Sequence, residues 1–177
     1  MSGEAHAGAP FNVLVLCTHN RTRSVMMAGL LRKHLGNDRR FGVTSAGFRE
    51  EGLPALPEAV ALLAEQGIDA SGHLSRRVTP EMVRSANLVL TAEKQHVVSV
   101  VADLGGDFDR VFTLLEFVHY ATSPTDARPR GAVYMRINVA EVEDPTGRQS
   151  AVWRSVFNGL DTWCHQVAAI MQRPRPA

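Results

Sequence analysis

The stretch FNVLVL, residues 11 to 16, is a continuous apolar run rich in branched side chains, and it predicts a strand buried on both faces. In SVMMAGLLRKHLG, which follows a short polar turn, the apolar positions fall at helical spacing between Ser24 as the start and Gly36 as the stop. The alternation then repeats. FGVTSAGF predicts a strand, LPEAVALLAEQG a helix closed by Gly67, TPEMVRSA a short helix capped by Thr79, and NLVLTA a further strand. A helix from about Glu93 to Leu104 comes next, RVFTLLEFVHYA combines a short strand with a helix, and SAVWRSVFNGLDTWCHQVAAIM makes a long amphipathic terminal helix. Strands alternating with helices predict an α/β chain whose parallel sheet is covered on both faces.

At 177 residues the length suits one domain with a sizeable core. MSGEAHAGAP has neither the basic start nor the apolar core of a signal peptide, and QRPRPA has no apolar period, so residues 1–10 and 173–177 read as loose tails on a domain spanning 11–172. Between 122 and 149 the chain is rich in Pro, Gly and charge without a clear period; long loops of this kind in compact domains are more often functional or mobile than idle.

The balance of 19 basic against 18 acidic residues gives no global field for nucleic acid or an anionic membrane, so any anion site must be local. No apolar run approaches the length of a membrane span. Two cysteines, Cys17 and Cys164, are too few for a disulfide-dense secreted domain, and a reducing cytoplasm is the expected location.

One local candidate for an anion site stands out. Cys17 ends the first strand, and after five intervening residues Arg23 and Ser24 stand at the start of the first helix. In open parallel sheets ligands bind where strand ends lead into helix N-termini. A loop there can turn backbone N–H groups inward, and the positive end of the helix dipole adds to them, so a tetrahedral oxyanion is the natural guest. The same field favours a nucleophilic thiolate at Cys17. Arg23 can hold two oxygens bidentately, and Ser24 can hydrogen-bond the sulfur and ease its departure.

CTHNRTRS, residues 17 to 24, with its preceding strand and following helix, resembles the Cys-x5-Arg-Ser loop of the low-molecular-weight protein-tyrosine phosphatases. The likeness extends over nearly the whole chain. Asn20 matches the loop asparagine of that family, TSAG with Ser45 matches the end of the second strand, GHLSRRVT with His73 and Arg76 matches a further segment, and NLVLTAEKQH is similar to the third strand and the helix start after it. The resemblance implies a single domain with a four-stranded parallel sheet flanked by helices on both faces. It implies a phosphate-binding loop of Thr18, His19, Asn20, Arg21 and Thr22, loop support from Ser45 and His73, and Cys17, Arg23 and Ser24 as catalytic residues. The general acid of the family comes from an Asp-Pro pair late in the chain, and Asp144-Pro145 is the one such pair here. The implied chemistry is hydrolysis of phosphotyrosine protein or another phosphomonoester through a cysteinyl phosphate, with inorganic phosphate as product. It calls for no metal or cofactor and for neither nucleic acid nor membrane as partner.

Four loop-region positions depart from the family pattern. His19 replaces Gly, Arg21 an apolar residue that touches substrate, Val25 a common Pro, and Thr22 the second cysteine that would form a protective disulfide with Cys17. Thr146 and Gly147 stand where tyrosine-specific members carry aromatics, and REEGLP after SAGF supplies no aromatic wall, so stacking of a phosphotyrosine ring must come from elsewhere, with Phe48, Tyr120 and Tyr134 as the candidates. His34, His96, His119 and His165 share no metal-site spacing and read as surface or core histidines, and Trp153 and Trp163 as core or interface anchors. Two other activities compete. A related arsenate-reducing branch has a His-Asn pair at the positions of His19 and Asn20, which makes thiol-coupled arsenate reduction the first alternative. A non-catalytic anion-binding regulatory module is the second.

Overall fold

The computed structural model describes residues 9–36, 38–122 and 141–173. Strands β1 (Phe11–Cys17), β2 (Phe41–Gly47), β3 (Leu88–Thr91) and β4 (Val111–Thr113) form one sheet in the order β2-β1-β3-β4, parallel throughout. Helices α1 (Arg23–Leu35), α2 (Pro57–Ala64), α3 (Pro80–Ser85), α4 (Lys94–Leu104), α5 (Leu114–Thr122) and α6 (Ser150–Met171) connect and cover the strands.

The two-residue period of β1 divides the core between the two faces. Val13, Val15 and Cys17 belong to one apolar cluster with α1, α2, α5 and α6, which includes Met26, Leu30, Leu63, Trp153 and Leu160. Leu14 and Leu16 belong to the other, with Val83 of α3 and Val97 and Val100 of α4. Leu30, Leu63 and Leu160 are fully buried, and each such side chain contributes roughly 1.5–3 kcal/mol relative to exposure. The continuous apolar run of the sequence is thus a central strand with no wet face, and the expected four-stranded α/β architecture is the one observed.

Two element boundaries differ from the sequence reading. Helix α1 begins at Arg23 behind Thr22, whose side chain makes no capping bond, because the Ser24 hydroxyl that would have marked a start is bonded to Cys17. Helix α2 stops at Ala64, and the chain to Gly67 closes in tighter turns, with Gln66 N–H donating to Leu63 O and Gly67 adopting φ 73°. Thr79 caps α3 as its sequence suggests, accepting from the Met82 N–H at 3.2 Å. Most of the two expected tails and of the aperiodic segment, with Tyr134, lies outside the described residues. No helix among the described residues is long and apolar enough to cross a membrane.

Candidate active site

Residues 18–22 link the end of β1 to the start of α1, and a single buried side chain organises their backbone. Asn20 is fully buried and adopts φ 54°, the one left-handed non-glycine residue among those described. Its Nδ2 donates to Ser24 Oγ at 2.9 Å and to Ser45 Oγ at 3.0 Å, and its Oδ1 accepts from the Arg76 N–H at 3.0 Å. Its own carbonyl accepts from His73 Nε2 at 2.7 Å, which fixes the proton of that ring on Nε2. The sequence's Asn20, Ser45, His73 and Arg76 therefore converge on one another.

Glycine is required on the neighbouring strand. Gly47 pairs with Cys17 in the parallel register, and a Cβ there would lie 2.7 Å from Asn20 N and 2.9 Å from Thr18 O. Past Gly47 the chain grips the loop again, as the N–H groups of Phe48 and Arg49 donate to Thr18 O at 2.8 and 3.1 Å.

Cys17 is buried, with its Sγ 3.0 Å from Ser24 Oγ. Because Asn20 Nδ2 already donates into that hydroxyl oxygen, the Ser24 proton is available to the sulfur. Arg23, only 3% exposed, runs beside them. Its Nη1 bonds the Glu93 carboxylate and donates to Val142 O at 3.0 Å; its Nη2 donates to Asp144 Oδ2 at 2.8 Å and reaches Thr18 Oγ1 at 3.5 Å. Its Nε–H is buried and has no partner among the described residues. A guanidinium paired on one edge and left with a bare N–H is prepared for an anion.

Asp144 thus meets Arg23 across a gap of more than a hundred residues. Its Oδ1 accepts the Thr146 N–H at 3.0 Å, and Thr146 Oγ1 lies 3.4 Å from Thr22 Oγ1, tying the Asp-Pro turn to the loop. Burial alone would raise the Asp144 carboxyl, but the hydrogen bonds from Thr146 and the charges of Arg23 and His19 outweigh it and hold the group below its ordinary range.

Cys17, Arg23 and Asp144 line a cavity of about 220 Å³ together with His19, Arg21, Thr22, Glu50, Leu53, Leu56 and Thr146. No Phe, Tyr or Trp is among these described residues. Phe48 stacks on His96, and Tyr120 lies against Phe112, so neither supplies the missing wall. His19 Nδ1 pairs with Glu50 Oε2 at 2.7 Å, both side chains about half exposed, and Arg21 Nε donates to Pro54 O at 2.8 Å.

Three contributors were not singled out in the sequence. Glu93 follows β3 and binds Arg23; Glu50 pairs with His19; and His96, read as an ordinary core or surface histidine, is buried with Nε2 3.1 Å from Thr18 Oγ1. The signal for Glu93 was positional, an acid just past a parallel strand at the same sheet end as Cys17. Of the other histidines, His34 pairs with Asp161 at 2.7 Å and packs edge-on against His165, away from the cavity lining.

Comparison with known proteins agrees with this geometry. The family model described as low molecular weight phosphotyrosine protein phosphatase matches residues 12–128. The protein-arginine-phosphatase of Bacillus subtilis is 36% identical over 93% of this chain and 99% of its own length. The arsenate reductase of Bacillus licheniformis is 40% identical, but over only 45% of this chain and 54% of that protein, so the match spans about half of it. Among solved structures, the YwlE arginine phosphatase from Geobacillus stearothermophilus superposes with a TM-score of 0.75 at 31% identity, covering 92% of this chain and 94% of that one. The loop, the sheet that carries it and these matches agree, and the chain belongs to the low molecular weight phosphotyrosine protein phosphatase family, whose members are cysteine-based phosphatases.

Proposed function

We propose that this chain dephosphorylates protein side chains through a cysteinyl-phosphate intermediate, and that its preferred substrate is protein phosphoarginine. The observation that carries the reaction is the buried Nε–H of Arg23, without a partner among the described residues, beside a cysteine whose sulfur faces a serine hydroxyl. A phosphoryl group seated on Arg23 and the loop N–H groups places phosphorus in front of Cys17 Sγ. The sulfur attacks in line, the bond to the leaving nitrogen or oxygen breaks, and Asp144 delivers its proton to that atom. Water then attacks the cysteinyl phosphate as Asp144 takes its proton; the S–P bond breaks, Ser24 steadies the departing thiolate, and inorganic phosphate leaves.

Asp144 must be protonated to act as an acid, yet in the free protein it is paired with Arg23. A phosphoryl group that recruits the guanidinium relaxes that pairing, so substrate binding itself readies the acid.

The substrate assignment has two supports. Among the described residues the cavity wall is made of Leu53, Leu56, Thr146, Arg21 and the His19–Glu50 pair, with no Phe, Tyr or Trp ring for a phenol to stack on. The Bacillus subtilis relative that aligns with almost the whole chain is a protein-arginine-phosphatase. Phosphoarginine carries a nitrogen–phosphorus bond, which the phosphomonoester expectation from sequence did not include. Arsenate reduction within one chain needs a second accessible thiol, but Cys164 is 1% exposed in α6 and burial pushes its thiol strongly up.

The deciding experiment compares phosphoarginine, phosphotyrosine and an aryl phosphate with chelator present, beside thiol-coupled arsenate reduction. Phosphoarginine protein should have the highest kcat/KM, and Cys17→Ser should abolish all turnover while retaining phosphate binding. A preference for phosphotyrosine would overturn the substrate assignment, and undiminished turnover by Cys17→Ser would overturn the mechanism.

A further inference from the structure

His96 sits in the first turn of α4, 6% exposed, underneath the phosphate loop. Its ring stacks on Phe48 with centroids 5.0 Å apart and planes 13° from parallel, and the Phe48 N–H holds Thr18 O. The imidazole is thus fixed in position and orientation relative to Thr18. Its Nε2 lies 3.1 Å from Thr18 Oγ1, whereas its Nδ1 is buried with no partner among the described residues.

That asymmetry selects a tautomer. A proton on Nδ1 would leave a buried N–H donor without an acceptor, a cost of about 1–3 kcal/mol, while a proton on Nε2 leaves only a lone pair unused. The Nε2–H therefore donates to Thr18 Oγ1. Arg23 Nη2 is a second donor to the same oxygen, at 3.5 Å. With both lone pairs of the hydroxyl engaged, its proton is directed to a third atom. Burial pushes the His96 pKa down, and Arg23 adds to this against the opposing charges of Glu93 and Glu141, so the ring is held in the neutral form that this choice of tautomer requires.

We propose that His96 is a positioning residue that makes the Thr18 hydroxyl a hydrogen-bond donor to the oxyanion seated beside Arg23. The identity of that oxyanion as a phosphoryl group rests on the phosphatase reading above. Thr18 then supplies one more donor on the Arg23 side of the anion, and His96 acts on the reaction solely through Thr18.

Two measurements on the full chain test this. Long-range proton–nitrogen NMR correlations of the histidine rings should show His96 protonated on Nε2 and bare on Nδ1; the opposite tautomer would overturn the proposal. A double-mutant cycle of His96→Leu and Thr18→Val should then be read both in kcat/KM for an aryl phosphate and in the Kd for inorganic phosphate. In the parent, His96→Leu should weaken each by about tenfold, as losing one hydrogen bond to a charged group does. In the Thr18→Val background it should have little further effect, and His96→Gln, which keeps an N–H donor, should recover most of the loss. Equal losses in both backgrounds would mean that His96 only supports the fold, and would sink the idea. If the parent turns over neither phosphoarginine nor any phosphate ester, the phosphatase reading fails, while the tautomer and the phosphate-binding cycle still decide the role of His96. Should His96→Leu fail to fold, the NMR result and His96→Gln decide it.

Discussion

At the scale of single residues, the proposed reaction asks the Cys17 sulfur to be an anion and the Asp144 carboxyl to be an acid, and Arg23 lies between their demands. Asp144 is held below its ordinary pKa in the free protein, so its protonated fraction falls as pH rises. For a substrate with a poor leaving group, kcat/KM should therefore decline with increasing pH over the range in which Cys17 is already the thiolate. Asp144→Asn should remove this decline and cost roughly 10²–10⁴-fold on such a substrate, with a much smaller effect on an activated aryl phosphate. Equal losses on both substrates would show that Asp144 carries no proton to the leaving group. The stability link has the matching sign: the carboxylate's pairing with Arg23 is present above the ordinary carboxyl pKa and disappears as pH falls through the lowered one. Because Asp144 is 41% exposed at its side chain, solvent screening keeps that contribution small.

At the scale of elements, the site depends on β2 meeting the loop without a side chain between them. Gly47→Ala would drive a Cβ into backbone atoms of Asn20, His19 and Thr18, none of which can swing aside. Urea denaturation should report a loss of about 1–3 kcal/mol, together with weaker phosphate binding; an unchanged midpoint and affinity would show that the strand and loop can separate freely. The elements themselves were legible in the sequence because their signals are local: a branched apolar run for β1, 3.6-residue spacing for α1 and α6, Pro and Thr at the start of α3. The stretch from Cys17 to Ser24 was legible for the same reason. Glu93, Glu50 and His96 were not, since Glu50 comes from beyond β2 and Glu93 and His96 from beyond β3, and none has a local pattern to mark it. Ser24 misled as a helix start because its hydroxyl answers to Cys17 and Asn20 instead of the helix backbone.

At the scale of the whole molecule, the two thiols occupy separate environments. Cys17 lines the cavity with Thr22, whereas Cys164 is sealed in α6 with its Sγ 3.5 Å from Met27 O. Peroxide treatment should carry Cys17 to sulfinic or sulfonic acid, with mass spectrometry finding no Cys17–Cys164 linkage and reductant failing to restore full activity; recovery of such a linkage would refute the separation. The same division of labour runs through the loop itself. Asn20, His73, Arg76 and Gly47 hold its backbone by contacts that do not involve the side chains of His19 or Arg21. Those two residues, with Thr22, line the cavity and are among the positions that depart from the family pattern. Selection can therefore rewrite what such a pocket accepts one side chain at a time, while the sulfur and the sheet beneath it stay where they are.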